Sequence, residues 1–317
     1  MKIVFLNRYQ NKVERGAEVF ISELTKRLSK NHQVDIFSGE KADSLKAVLE
    51  GNYDYVIPVN GRMQSLKFSL ARILGKYKLL ITGHSGIGKD DIWNIAVAKP
   101  DIFVALTDHM AKWAKTWAWG SRIIKISNGI DLDKFSHLGE KIKIDLPRPI
   151  ILSAGALVWY KHHERVIKAV KVLGYGSVLI VGQGTEKEKL EKLGKNLLNK
   201  NFKIISADYK NMPKVYKVAD LFTLPSWDRE AFGIVYLEAM ASGLPIIAPD
   251  DQSRREIIGD AGIFTDVSDS QKYAKALKLC LENKWQNKPR QQAEKFSWDK
   301  IAKEYESVMI SLLEKDG

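Results

Sequence analysis

The stretch from 224 to 250 constrains the fold of this chain more than any other. An apolar run ends at Pro225, a polar loop follows, and a periodic apolar segment begins near Gly233. Gly243 and Pro245 stop that segment ahead of a second apolar run. Short apolar runs indicate buried strands and the periodic segment indicates a helix, so the stretch predicts a strand, loop, helix and strand in that order.

Two glutamates in this stretch have no role in an apolar core. Glu230 falls in the loop and Glu238 in the helix, and the amides of Phe232, Gly233 and Ile234 lie between them. A helix start that follows a glycine has unpaired N–H groups and a partial positive charge, which suit a phosphate. Carboxylates suit the hydroxyls of a sugar or a ribose. The pattern therefore predicts a site for a nucleotide sugar.

The run Glu-Ala-Phe-Gly-Ile-Val-Tyr-Leu-Glu, continued by Ala-Met-Ala-Ser-Gly-Leu-Pro, resembles the signature of the retaining glycosyltransferases of family 4, also called glycosyl transferases group 1. The resemblance implies an α/β protein of GT-B architecture, in which two Rossmann-like domains with parallel sheets face a central cleft. The implied enzyme is a hexosyltransferase that moves a sugar from a nucleotide-diphosphate sugar to an acceptor hydroxyl. It retains the anomeric configuration and uses neither a metal nor a cofactor.

The resemblance also implies a role for individual residues. Glu230 would orient the donor sugar, Glu238 would hold the ribose hydroxyls and His84 would contact the sugar. Lys161 matches the lysine that neutralises the donor diphosphate. The catalytic candidates are therefore Glu230, His84 and Lys161. We expect no residue to bind a metal.

Two glycine turns belong to the predicted donor site. Gly16 matches the second glycine of the family's Gly-Gly-Ala-Glu element, whose first position is Arg15 in this chain. Gly155 ends the first apolar run of the second half and opens the family's phosphate-binding element. Because glycine lets a backbone approach a ligand closely, we expect both turns to contact the donor.

One position departs from the family pattern. Ala156 stands where the family has an arginine that shares the diphosphate charge with the lysine. Three explanations are open: Arg229 or Arg15 supplies the missing charge, the enzyme is slow, or the protein binds a nucleotide sugar without transferring it. Because both glutamates of the family signature, Glu230 and Glu238, are present, we favour the first explanation, a substitute cation.

The domain organisation follows from length and from a linker. A chain of 317 residues is long enough for two domains of ordinary size. The segment 141–149 contains charged residues and two prolines and reads as the linker. We predict an acceptor-side domain over 1–145 and a nucleotide-sugar-binding domain over 146–295. The family resemblance adds a last helix, 296–317, that crosses back to the first domain.

The net charge of +12 calls for an anionic partner or surface. Nucleic acid is not expected, because no basic tract, zinc spacing or RNA-binding aromatic motif is present. Anionic lipid headgroups remain, so peripheral membrane contact is a further expectation. Trp113 and Trp117 are placed on one helix face, where core packing is favoured over docking at lipid. The acceptor is open among a sugar, a lipid-linked molecule and a small molecule.

The single cysteine, Cys280, lies in an apolar helical pattern and predicts a core residue in a reducing compartment. No apolar run is long enough to span a membrane and none resembles a signal peptide, so we expect a cytoplasmic location.

Three other functions stay open. A GT-B protein that binds a nucleotide sugar without transferring it would explain Ala156, and a GT-B epimerase would use the same site. The run from Gly83 to Asp90 nearly forms a P-loop with Lys89 in place. Asp90 replaces the hydroxyl residue that should hold magnesium, so an NTPase is the remote alternative.

Overall fold

The protein forms two compact units with one parallel sheet each. A computed structural model describes residues 1–10, 12, 16–228 and 230–316. Unit 1 is Met1–Gly129 together with the chain from Trp298, and unit 2 is Ile130–Ser297.

Unit 1 alternates strands and helices, as the apolar runs predict. Its strands are β1 (Lys2–Leu6), β2 (Gln33–Phe37), β3 (Tyr55–Pro58), β4 (Lys78–Thr82), β5 (Ile102–Ala105) and β6 (Arg122–Lys125). Its helices up to this point are α1 (Gly16–Leu28), α2 (Leu45–Glu50), α3 (Arg62–Gly75), α4 (Lys89–Ala96) and α5 (Asp108–Lys115). The strands are parallel in the order β2-β1-β3-β4-β5-β6. The order reverses between β1 and β3, and open α/β sheets bind ligands at such a point, beyond the carboxyl ends of the strands.

Unit 2 repeats this plan. Its strands are β7 (Ile150–Ala154), β8 (Ser177–Val181), β9 (Phe202–Ile205), β10 (Leu221–Thr223), β11 (Ile246–Pro249) and β12 (Gly262–Thr265). Its helices are α6 (His163–Leu173), α7 (Lys187–Leu198), α8 (Met212–Tyr216), α9 (Ile234–Ala241), α10 (Gln252–Ile258), α11 (Ser270–Glu282) and α12 (Lys288–Glu294). The parallel order β12-β11-β10-β7-β8-β9 reverses between β7 and β10.

The central strands of both sheets are buried along nearly their whole length. Strands β3, β5, β7 and β8 have only buried residues. Continuous apolar strands are typical of parallel sheets with helices on both faces, because neither face meets water. Cys280 lies in the apolar core of unit 2, as predicted from its helical pattern.

The last helix, α13 (Trp298–Asp316), completes unit 1. Trp298 and Tyr305 are buried in the same core as Phe20 of α1. The tyrosine hydroxyl also lies 3.3 Å from the hydroxyl of Thr82, at the end of β4.

Unit 2 begins at Ile130, ahead of the linker that the sequence places at 141–149. The Ile130 amide donates to the Phe296 carbonyl at 2.8 Å. The Arg290 guanidinium donates to the carbonyls of Leu132 and Phe135 at 2.9 and 2.6 Å. These bonds attach the segment that follows residue 129 to the body of unit 2.

The predicted strand, loop, helix and strand are confirmed: β10 ends at Thr223, directly before 224–250, and α9 and β11 lie within it. The placement of Trp113 and Trp117 on one helix face is wrong. Helix α5 ends at Lys115 with Thr116 as its C-cap, so Trp117 lies past the helix end. A search of the described residues for a helix with the length and apolar character of a membrane span finds no such helix.

Candidate active site

The loops after β7 and β10 meet at the point where the strand order of unit 2 reverses. The two strands are neighbours, so their carboxyl ends emerge side by side. The Trp227 amide donates to the Tyr160 carbonyl at 3.0 Å, and the two rings stack with centroids 4.8 Å apart. These contacts join the loop that carries Lys161 to the loop that carries Glu230.

Lys161 and Glu230 form an ion pair across the two loops. The Lys161 ammonium donates to Oε2 of Glu230, although the residues are 69 positions apart. The two side chains are only 15% and 17% exposed. Because the pair is this enclosed, removing either partner would leave a poorly hydrated charge. The structure thus brings together two of the three predicted catalytic residues.

Helix α9 starts directly beside this pair. Gly233 precedes it with φ of 75°, and a Cβ at that position would lie 2.7 Å from the Tyr236 ring. The same Cβ would lie 3.6 Å from Cγ of Glu230. The N-cap residue, Gly233, has no side chain with which to cap the first turn, which begins at Ile234. The helix therefore offers main-chain N–H groups and the positive end of its dipole close to Glu230.

The second glutamate of the pattern, Glu238, is buried on α9. Its side chain accepts a hydrogen bond of 2.7 Å from the Tyr216 hydroxyl. Burial raises the pKa of Glu238 to about 7, against smaller lowering effects of Tyr216 and of the Lys134 charge. A free glutamate carboxyl has a pKa near 4.5, so it is charged at neutral pH. In the folded protein the Glu238 carboxyl instead gains or loses its proton near neutral pH.

Gly155 lies in a loop that touches the turn after β8. A Cβ on Gly182 would fall 1.9 Å from the Gly155 carbonyl oxygen, so this contact requires glycine. The Leu157 amide donates to the Gln183 carbonyl at 2.8 Å and continues the contact. Ala156, where the family pattern has arginine, is exposed between them.

Phe232 reaches the site only through its main chain. Its side chain is buried, and its ring lies 6.2 Å from that of Phe296, edge to face. This agrees with the sequence argument, which concerns the amides of 232–234 and not their side chains.

Arg254 is a site-supporting residue that the sequence did not indicate. Its guanidinium is buried and donates to the carbonyls of Ser226 and Trp227 at 3.0 and 2.7 Å, and to the Ser226 hydroxyl at 2.7 Å. It also pairs with Asp251. Arg254 thereby fixes the loop that leads to Glu230. The only signal in the sequence is an aspartate three residues before it, which predicts a helix cap and says nothing about burial.

His84 and Gly16 belong to unit 1. The imidazole follows β4 and meets the Phe20 ring edge to face at 4.6 Å. Burial lowers the pKa of His84 to about 4, so the ring is neutral at pH 7. Its Nε2 has no hydrogen-bond partner among the residues described. Gly16 is the first residue of α1, and a Cβ there would meet nothing within 4 Å. Arg15 and Arg229 lie outside the described residues.

A buried polar cluster lies where the strand order of unit 1 reverses, and sequence reasoning missed it. Asn7, after β1, donates to Gln10 at 3.0 Å and to Oε1 of Glu18 at 3.2 Å. Asn60, after β3, donates to Asn7 at 3.0 Å. The other carboxylate oxygen, Oε2 of Glu18, is buried and has no partner in the part of the chain that the structure describes. Four scattered polar residues have no spacing that would reveal such a cluster.

Solved structures with the same architecture show that the fold is GT-B. One is HepE of Anabaena in complex with UDP, with a TM-score of 0.80 and 18% identity over 98% of this chain and 100% of that one. Another is the sucrose-phosphate synthase of Thermosynechococcus elongatus, with a TM-score of 0.80 and 17% identity over 99% and 100% of the two chains.

The family model Glycosyl transferases group 1 matches residues 136–297, and the chain belongs to that family. It is 29% identical to the phosphatidyl-myo-inositol mannosyltransferase of Mycolicibacterium smegmatis over 57% of this chain and 48% of that protein. It is 32% identical to an uncharacterised glycosyltransferase of Methanocaldococcus jannaschii over 61% of this chain and 55% of that protein. The chain thus spans about half the length of the curated relatives it matches. The family and the GT-B fold predicted from the sequence are confirmed.

Proposed function

We propose that this protein transfers a sugar from a nucleotide-diphosphate sugar to an acceptor hydroxyl. The observation that carries the proposal is the Lys161–Glu230 ion pair beside the uncapped start of α9, at the strand-order reversal of unit 2. Membership of the family supports it. The UDP and UDP-glucose complexes of the Anabaena protein support a nucleotide sugar as the donor class.

The site offers opposite charges for the two halves of such a donor. Lys161 and the amides at the start of α9 would stabilise the negative charge that develops on the leaving diphosphate. A bound diphosphate would compete with Glu230 for the Lys161 ammonium. Glu230 would then accept hydrogen bonds from the hydroxyls of the donor sugar. Because Lys161 and these amides can meet the charge of the leaving group, we propose that transfer needs no metal. Retention of configuration is proposed from the family resemblance.

A panel of nucleotide sugars tests this proposal. The protein would be incubated with each sugar nucleotide and a mixed set of acceptors, with and without EDTA, and the products would be followed by mass spectrometry. Transfer or hydrolysis that EDTA leaves unchanged supports the proposal, and NMR of the new linkage reports its anomeric configuration. Thermal stabilisation without turnover would instead support a binding protein, and interconversion of the sugars an epimerase.

The P-loop alternative has its own test. It predicts magnesium-dependent ATP hydrolysis that Lys89→Ala abolishes. Wild-type protein with no ATP hydrolysis removes this alternative.

The substitute cation for Ala156 is tested separately. If Arg229 or Arg15 supplies the missing charge, its replacement by alanine should lower kcat by about 100-fold, the scale of one transition-state donor. Ala156→Arg should restore part of that loss in the same background. A variant that keeps wild-type kcat excludes that arginine.

The acceptor class is proposed from the names of relatives. The mannosyltransferase of Mycolicibacterium smegmatis is named for phosphatidyl-myo-inositol, so a lipid-linked acceptor is the first class to test here. A sugar or small-molecule acceptor is the alternative outcome. The cytoplasmic location stays a prediction from the single cysteine.

A further inference from the structure

Helix α3 of unit 1 presents large apolar side chains outward and small or polar ones inward. Its buried residues are Gln64, Ser65, Phe68 and Ala71. Its strongly exposed ones are Met63 at 70%, Leu70 at 65%, Ile73 at 86% and Leu74 at 76%. A helix on the surface of a protein normally has the reverse pattern, because apolar side chains are stabilised by leaving water.

The exposed apolar residues form one continuous stripe. Positions 63, 66, 70 and 73 are separated by steps of three or four, and 74 lies four residues after 70, so all five lie on one side of the α-helix. The half-buried Leu66 connects Met63 to the strongly exposed Leu70, Ile73 and Leu74. At about 1.5 Å per residue the stripe is about 16 Å long. Single exposed apolar residues are ordinary on protein surfaces, but a contiguous stripe marks an interaction surface.

The charged residues of α3 itself are all basic. Between Asp54 and Asp90 the chain has six basic residues and no acidic one. Arg62 and Lys67 lie on opposite sides of the stripe, and Lys76 caps the helix at its carboxyl end. Arg62 pairs with Asp90 and Arg72 pairs with Asp101. The Lys67 ammonium instead donates to a backbone carbonyl, that of Asp43, and Lys76 is exposed at the helix end, so these two lysines supply the basic charge beside the stripe.

We propose that α3 docks on the surface of an anionic lipid bilayer. The stripe would enter the boundary between headgroups and acyl chains, while the basic side chains beside it would contact lipid phosphates. A second copy of the chain fits the stripe less well, because pairing two such faces would bring two basic sets together. The docking surface is α3 and not the tryptophans near α5. It is independent of whether the protein transfers a sugar.

Vesicle flotation with the full chain tests the proposal. Wild-type protein should float with vesicles of phosphatidylcholine and phosphatidylglycerol, should float weakly with phosphatidylcholine alone, and should be released by high salt. The double variant Ile73→Glu with Leu74→Glu should bind the anionic vesicles about 10- to 100-fold less tightly, because two charges of the wrong sign enter the interface. Both positions are exposed, so folding should not change.

A matched control separates a specific surface from a change in net charge. Val172→Glu with Leu279→Glu replaces two exposed apolar residues of unit 2 and lowers the net charge equally. This control should float like the wild type. Equal loss in both double variants, or no loss in the α3 variant, would overturn the proposal. A wild-type dimer in light scattering that the α3 variant converts to monomer, without vesicle binding, would assign the stripe to a second copy instead.

Discussion

The enclosed carboxylates of the two units differ in how completely the protein satisfies their hydrogen bonds. In unit 2, Glu230 pairs with Lys161 and Glu238 accepts from Tyr216. In unit 1, Glu18 on α1 and Asp91 on α4 are buried, but each has one oxygen without a partner in the described parts of the chain. Both units have parallel sheets of the same kind, so the difference comes from side chains and not from topology.

This difference shows which site the protein builds by itself. A buried polar atom without a partner costs about 1–3 kcal/mol, so such atoms need a reason. Unit 2 holds its site together before any ligand arrives, and it contains the whole range that the family model matches. Unit 1 leaves one oxygen each of Glu18 and Asp91 without a partner among the described residues. Three substitutions test this contrast, each with a neighbouring or equivalent control.

The largest effect is expected at Arg254, which holds the loop before Glu230. Arg254→Met should lower the free energy of unfolding by about 3–5 kcal/mol, because Asp251 and several carbonyl oxygens lose a buried partner. Urea titration measures this. Arg255→Met is the control: Arg255 pairs with Asp250 at the surface and should change stability by about 0.5 kcal/mol or less. Similar losses in the two variants would mean that Arg254 does not organise the loop.

A substitution at Asp91 tests whether a buried negative charge in unit 1 lowers the free energy of unfolding. Burial raises its pKa from 3.8 to about 7, so the unfolded chain releases this proton at lower pH than the folded protein does. The penalty therefore grows as pH rises from about 4 to about 7 and is constant above that. Asp91→Asn should stabilise the protein by about 4 kcal/mol at pH 8 and by much less at pH 4.

The exposed neighbour provides the control for Asp91. Asp90→Asn removes a surface partner of Arg62 and should show no stabilisation at pH 8. Thermal unfolding at both pH values compares the variants. A stabilisation of Asp91→Asn that is the same at pH 4 and pH 8 would rule out the charge as its cause.

The smallest effect concerns the glycines. Gly182→Ala should destabilise unit 2 by about 2 kcal/mol, because its Cβ would overlap the Gly155 carbonyl oxygen. Gly16→Ala meets open space and should change stability by about 0.5 kcal/mol or less. If the backbone at Gly16 contacts the donor, Gly16→Ala should raise KM for the nucleotide sugar. An unchanged KM would remove Gly16 from the site.

Local patterns predicted much of the fold, and the family resemblance predicted the residues of the candidate site. The strand, loop, helix and strand of 224–250 follow from periodicity and from glycine and proline stops. Lys161 and Glu230 were both identified, but their ion pair was not, since it depends on β7 and β10 becoming neighbours. Arg254 was missed because burial of a charged side chain depends on packing that no local pattern encodes.

The apolar stripe of α3 is another feature that local sequence patterns do not determine. Its spacing is that of any amphipathic helix, and periodicity alone would place Leu70 and Leu74 in the core. Only the structure shows that Gln64 and Phe68 occupy the inner face. A sequence pattern predicts that one face is apolar, but it does not determine which face the sheet covers.

The most direct test of the central claim is the rate of sugar transfer by Glu230→Gln. This change keeps the size of the side chain but removes the charge that pairs with Lys161, so kcat should fall by about 100- to 1,000-fold. Glu282→Gln, at an exposed position on α11, should keep the wild-type rate. A Glu230→Gln enzyme as fast as the wild type would contradict the assignment of the donor site to this ion pair.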